Sequence, residues 1–196
     1  MNMSKIIYTA FCLFLLTSLI SACKKGEDDP FLSLRSRKVR LVGEWTLKSG
    51  TYKALNQGAT TTGGYANGRE DRVTVYYAPS DTLLSSKLYT QTYAFEKDGS
   101  YQKTTVSETG TATEEGVWSF VQRSKSDDLK NKEAILLSPR KFTGQGNETV
   151  FGGSSDAVVY VLMQLKNKRM VWSASFSREE PGSYAESVDE TFTFEQ

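Results

Sequence analysis

Large apolar side chains return at every second position along most of this chain. Trp45 and Leu47 form one such set, and Tyr93 and Phe95, with Tyr89 and Gln91 in phase, form another. Trp118 and Phe120, then Met170, Trp172, Ala174 and Phe176, then Phe192 and Phe194, repeat the pattern. A spacing of two puts these side chains on one face of a β-strand, whereas a helix needs apolar residues three and four apart. No stretch between them is an amphipathic helix long enough for a parallel crossover, so neighbouring strands must pair antiparallel. Ten tyrosines, ten phenylalanines and three tryptophans favour the same outcome, because aromatic side chains pack well on a pleated surface. The pattern predicts eight or nine strands. Such a sheet hides its edges by closing into an up-and-down barrel or by folding as a sandwich.

Turn chemistry marks the joints. Lys97-Asp98-Gly99-Ser100 is a hairpin signal, since Asp-Gly tolerates positive φ. Thr109-Gly110-Thr111 and Asn167-Lys168 are further turns, and Pro139 is expected to stop the apolar run Ala134 to Leu137. Two glycine-rich stretches without periodicity, Asn56 to Gly68 and Phe142 to Ser155, read as long loops. Val73, Val75 and Tyr77 alternate as one face of a short strand. Phe31 to Leu41 holds the single helical turn, with Leu34, Lys38 and Leu41 near one face. Its basic residues suit either a solvated lid over one end of the domain or a lean onto anionic headgroups.

The N-terminus reads as an export signal. Lys5 supplies a positive start, Ile6 to Ile20 is mostly apolar but too short to span a bilayer, and Ser21 and Ala22 are small. Ile20-Ser21-Ala22-Cys23 resembles a bacterial lipobox. That resemblance implies a diacylglycerol on Cys23, cleavage before it and acylation of the new terminus. Several acyl chains anchor durably, at about 0.8 kcal/mol per buried CH₂. A plain signal peptide with an incidental cysteine and an uncleaved anchor are the alternatives. Lys24 to Pro30 is a polar tether, and its Glu27-Asp28-Asp29 resembles the acidic export signals of Bacteroidetes surface lipoproteins. The expected organisation is a signal peptide over 1–22, a lipidated tether and lead-in over 23–41, and one β-domain over 42–196. Localisation is then the cell envelope, as an outer-membrane lipoprotein facing the periplasm or the surface.

Composition closes off several chemistries. The chain has no histidine, which excludes His-based zinc sites, Ser-His-Asp triads and Cys-His pairs. Once Cys23 is acylated and Cys12 removed, no thiol is left for a disulfide. Losing Lys5 with the signal takes 24 basic residues to 23, against 23 acidic ones. So neutral a balance offers nucleic acid no attractive field. No catalytic residue, metal ligand or cofactor is nominated, and the chain is not expected to be an enzyme. Glu114-Glu115 is no acid pair, because adjacent strand residues face opposite ways. Asp127-Asp128 reads as a solvated loop rather than a cation site. Asn147-Glu148-Thr149 fits an N-glycosylation pattern that means little in a bacterium, and Asp81-Thr82-Leu83 fits the Bacteroidetes O-glycosylation pattern.

Gly43-Glu44-Trp45, opening the first strand after a short lead-in, resembles the Gly-x-Trp start of lipocalins. Tyr93-Ala94-Phe95 with Asp98-Gly99-Ser100-Tyr101, Gly116 to Phe120 and Ile135 to Pro139 resemble the lipocalin-like lipoproteins of Bacteroidetes. The resemblance implies an up-and-down antiparallel barrel of about eight strands, with Gly43 and Trp45 as its structural floor and Arg178 as a candidate partner over Trp45. It also implies a pocket. Gln91, Tyr93, Phe95, Trp118, Phe120, Tyr160, Met170 and Trp172 are the candidate ligand-binding residues, which could line a cavity or fill the barrel solid.

Three functions remain open. A lipid-anchored binding protein would hold a small apolar ligand inside the barrel. A surface interaction module would bind a protein partner or glycan through loops, over a filled barrel. An enzyme would need paired acids in a cleft, which the sequence does not nominate.

Overall fold

The computed structural model describes residues 36–56, 59–76, 82–126, 129–130, 133–144, 146–151, 157–178 and 186–196. Cys23, the signal sequence and the acidic tether lie outside them, as do Leu34, Asp81 and Asp127-Asp128.

The first element is a five-residue helix, α1 (Arg37–Leu41). Ser36 caps it, its hydroxyl accepting from the Val39 amide at 3.3 Å. Its inward residues are Arg37, Arg40 and Leu41 rather than Leu41 with Lys38, which is exposed. The helix closes one end of the domain as expected, but it is buried there rather than solvated. Arg40 donates from Nη1 to the Leu165 carbonyl, and Arg37 Nη2 lies 3.5 Å from that of Leu162.

Among the described residues eleven strands follow. They are β1 (Gly43–Asn56), β2 (Ala59–Ala66), β3 (Arg69–Val75), β4 (Thr82–Phe95), β5 (Ser100–Ser107) and β6 (Gly110–Phe120). Then come β7 (Ala134–Gly144), β8 (Asn147–Val150), β9 (Val158–Leu165), β10 (Arg169–Arg178) and β11 (Glu186–Glu195). Each pairs antiparallel with its neighbours, β11 returns to β1, and β6 pairs β7, so the sheet closes into an up-and-down barrel of ten strands. β8 stands apart, extending the edge of β7 as a hairpin.

The expected count of about eight describes one end of this barrel. Near Gly43, β1 pairs directly with β4 through Gly43–Phe95 and Trp45–Tyr93, and eight strands go round. The register of β1 against β11 then slips between Leu47 and Ser49, and from Ser49 on β1 pairs β2 instead. A bulge bends its strand and increases the local twist. Here it coincides with the point where the β2–β3 hairpin enters the wall and widens the ring to ten.

Two expected loops are therefore strands. Asn56 to Gly68 is mostly β2, and Phe142 to Ser155 includes the end of β7 and all of β8. Their threonines and glycines lack a clean period because they face half-exposed surfaces. Pro139 does not stop β7. It lies opposite Gly116, where the register skips one residue, and a bulge is where a strand tolerates proline. Val73 faces outward, because Glu70, Arg72 and Thr74 take the inward phase of β3. The Asp98-Gly99 hairpin forms as expected: Gly99 has φ +95°, and the Asp98 carboxylate accepts from the Ser100 amide at 2.9 Å.

The narrow end is a packed aromatic core. Leu41, Trp45, Phe95, Ile135, Leu162, Leu165, Met170, Trp172 and Phe194 are fully buried. Trp45 lies on the floor, its indole N–H donating to the Leu41 carbonyl at 2.7 Å, and Gly43 beside it has φ +133°. The arginines beneath the floor come from α1. Arg178, paired with Glu186 at the far end of β10, is nine residues up the strand from the floor position Arg169. At about 3.3 Å per residue that is roughly 30 Å from where a partner of Trp45 must sit.

Candidate functional site

Gln91, Tyr93, Phe95, Trp118, Phe120, Tyr160, Met170 and Trp172 all meet inside one barrel, packed against one another. Trp172 is the hub: its ring lies 4.5 Å from Phe194, 4.6 Å from Tyr160 and 5.0 Å from Tyr93, centroid to centroid. Phe95 stacks on Tyr93 at 5.7 Å and meets Trp118 edge-on at 5.9 Å. Gln91 is buried above them, with Nε2 3.5 Å from the Tyr93 hydroxyl.

Above this column the interior changes chemistry. Tyr101 and Lys103 on β5, Glu114 on β6, Tyr160 on β9 and Glu190 on β11 point inward with Tyr93. A cavity of about 90 Å³ lies among Tyr93, Tyr101, Lys103, Glu114, Leu137, Pro139, Val158 and Tyr160. The Tyr101 hydroxyl donates to Glu114 at 2.7 Å, and Lys103 Nζ sits 3.7 Å from Glu114 Oε2 and 5.9 Å above the Tyr93 ring. Glu115, one residue on, faces outward, where Gln102 reaches it, so adjacency does separate the two acids.

Higher still, Tyr52, Tyr65 and Tyr89 form a ring wall, with centroids 5.5 Å apart for the first pair and 4.7 Å for the second. Phe192 meets Tyr65 edge-on at 5.4 Å. Glu70 accepts from the Tyr52 hydroxyl, and Arg72 also hydrogen-bonds Tyr52.

Burial shifts these groups. Tyr93 and Tyr160 are held well above the usual phenol range, chiefly by desolvation, and Tyr89 is pushed up to about 12 for the same reason. Glu190 is also raised: desolvation outweighs the Tyr160 hydrogen bond and the Lys103 charge, which both pull it down. Tyr160 on β9 donates to it, Lys103 on β5 is the cation whose charge reaches it, Tyr52 on β1 stands opposite it, and its own charge acts on Tyr65 of β2 and Tyr89 of β4; Glu70 and Arg72 on β3 and Glu114 on β6 face the same interior. Lys87, opposite Glu70 on β4, is exposed.

A glutamate with a raised pKa holds more protons folded than unfolded, so its contribution to stability is present below the unfolded glutamate pKa. It is lost as pH rises through the folded value. Denaturation of the protein and of Glu190→Gln across pH 4 to 8 should show the wild type losing stability relative to the variant as pH rises. A difference that stays flat or grows in favour of the wild type would refute the assignment.

The charged residues of this interior were missed at the sequence level, yet three were in phase. Lys103 follows Tyr101 by two, Glu114 precedes Gly116 and Trp118 by two and four, and Glu190 precedes Phe192 and Phe194. A charge on the apolar phase of a strand was the available signal. Glu70 and Arg72 carried none, because the valines of β3 suggested the opposite face.

A second concavity lies on the outer wall. A groove of about 870 Å³ crosses β9, β10, β11 and β1 beside the β6–β7 connection. Val121, Leu129, Val159 and Val161 form its apolar side, and Thr51, Lys53, Ser173, Ser175, Asp189 and Thr191 its polar side. Among the described residues, no three acidic or thiol groups are placed to hold a metal ion, and no helix is long and apolar enough to cross a membrane.

No family model and no curated protein matches the chain. A solved structure, that of Rv2717c from M. tuberculosis, is similar at 11% identity over 84% of this chain and 99% of that chain, with a TM-score of 0.30. So loose a superposition carries nothing about function.

Proposed function

We propose that this chain is a lipid-anchored envelope protein that binds a small ligand in the upper half of its barrel. The observation that carries the binding site is the set of ionic and hydroxyl groups that face inward and are half-buried inside the wall. Burying charge costs free energy that a purely structural barrel avoids by filling itself with apolar side chains. Lys103, Glu114 and Glu190, with the Tyr93, Tyr101 and Tyr160 rings, form such a group, and clusters of this kind mark functional sites. The ligand is polar or amphiphilic rather than simply apolar, because the apolar candidates from Phe95 to Trp172 already satisfy one another. Anchoring rests on the lipobox-like Ile20-Ser21-Ala22-Cys23 alone.

Native mass spectrometry of protein released gently from membranes tests the binding. The expected result is a co-purifying small molecule that is lost from a Lys103→Met/Glu114→Gln double variant. A ligand-free spectrum from every membrane preparation would sink the proposal. Anchoring is tested separately, by metabolic labelling with an alkyne-tagged palmitate analogue: the wild type should be labelled and Cys23→Ser should not.

The outer groove favours a second reading, an interaction module that grips a protein partner or glycan on its wall. The described residues of the loops first expected to do this are mostly strand, so the surface in question is the face of β9, β10, β11 and β1. Envelope cross-linking from a photoreactive residue at Ser173 would then capture a partner that the same residue at Gln102, on another part of the wall, does not.

A further inference from the structure

We infer that the ammonium group of a small organic cation is received by the Glu190 carboxylate against the ring wall of Tyr52, Tyr65 and Tyr89. The inference rests on the small-ligand reading above and names its chemistry.

The charges inside the barrel are not evenly paired. Glu114 has Lys103 at 3.7 Å and the Tyr101 hydroxyl at 2.7 Å. Glu70 has the Tyr52 hydroxyl, with Arg72 bonded to the same tyrosine and Lys87 across the strand pair. Glu190 stands opposite Tyr52 on β1 and Ala174 on β10, so neither cross-strand neighbour is basic. Its hydrogen-bond donor is the neutral Tyr160 hydroxyl, and it shares with Glu114 the field of the single Lys103. Among the described residues it is the interior carboxylate without a cation of its own, Glu70 and Glu114 being the others.

The surroundings match what an ammonium ion requires. Tyrosine faces attract a cation within about 6 Å of the ring centroid, and the attraction grows when water is excluded. Glu190 stands directly across the β1–β11 pair from Tyr52, whose ring is 5.5 Å from that of Tyr65, which in turn is 4.7 Å from that of Tyr89, and the Tyr160 hydroxyl donates to the carboxylate from the other side. The three tyrosines of the wall are half-buried rather than sealed in the core. The tyrosine hydroxyls stay protonated at neutral pH and so act as donors and neutral rings rather than as competing anions. An anionic ligand at the same spot would meet the fields of Glu190 and Glu70 together. A neutral ligand would leave Glu190 desolvated and without a counter-charge.

Three probes of one size separate the possibilities: n-butylammonium, n-butanol and butyrate, titrated calorimetrically and by ¹⁵N-detected shifts into the intact barrel. Butylammonium should bind at least tenfold more tightly than butanol. Glu190→Gln should abolish that preference, while Tyr65→Phe keeps it and Tyr65→Leu reduces it several-fold. Glu190→Gln removes a desolvated charge, so it is expected to fold at least as well as the parent, and its near-ultraviolet dichroism checks this. If butyrate binds best, with shifts at Lys103, the amine inference fails and the small-ligand site survives. If none of the three binds below about 10 mM, or the ammonium preference persists in Glu190→Gln, the inference fails.

Discussion

Trp172→Ala should destabilise the barrel by about 3–5 kcal/mol, the usual range for emptying a buried tryptophan site. Trp172 is fully buried and in ring contact with Tyr93, Tyr160, Phe95 and Phe194. These neighbours come from three different strands, so no single side chain can swing into the hole. In a domain of this size the loss should lower the melting temperature by roughly 10 °C or more. Trp172→Phe separates packing from polarity. The indole Nε1 is buried with no hydrogen-bond partner among the described residues, and an unmade buried donor costs about 1–3 kcal/mol. Phenylalanine keeps most of the contact area and deletes that donor, so its cost should be less than half that of alanine. Urea denaturation of the three proteins decides the matter. Equal losses for the two variants would mean that the indole N–H is satisfied in solution.

Gly116→Val should be nearly as damaging, for the opposite reason. Gly116 lies opposite Pro139 at the bulge between β6 and β7. A Cβ there would stand 2.4 Å from the Ser138 carbonyl oxygen, 2.6 Å from the Tyr101 ring and 2.9 Å from the Pro139 Cα. Two of those three atoms are backbone and cannot rotate away. Overpacking commonly costs about 1–3 kcal/mol, and the immovable backbone places this case at the upper end or above it. Relief by moving Tyr101 would break its bond to Glu114 and disturb the polar cavity, so ligand binding should weaken along with stability. By contrast Gly146→Ala, where a Cβ meets nothing within 4 Å but φ is +79°, carries only backbone strain. A Gly116→Val barrel that unfolds at the wild-type midpoint would show that the bulge can re-register.

The β-class and the inward phases of β1, β4, β6, β10 and β11 were legible in the sequence, because one buried face beside one exposed face leaves a period of two. The Asp98-Gly99 hairpin was legible for a local reason, the positive φ that the turn demands. β2 and β8 were not legible, and β3 was legible as a strand but not in which face it turns inward. On β2 and β3 the inward side chains, such as Thr61, Glu70, Arg72 and Thr74, face a polar interior, so the hydrophobicity pattern is blurred or inverted, and β8 is exposed along its whole length. Pro139 misled in the same way: its effect depends on the register of its strand against β6, where Arg140 is the extra residue beside it, and the residue it opposes, Gly116, is distant in the chain.

By itself, then, the sequence determined that the chain is an antiparallel β-structure with an aromatic inward face, that histidine chemistry is closed to it, and that its front end resembles a lipoprotein signal. These follow from composition and from spacings of a few residues. Only the tertiary structure decided that the aromatic set packs on itself at an eight-strand end, and that the wall widens to ten strands where β1 bulges. It alone gathers Lys103, Glu114 and Glu190 from β5, β6 and β11 above that core. Such placement depends on closure and register between strands far apart in the chain, and no local propensity encodes the distance between two side chains that meet only when the sheet closes.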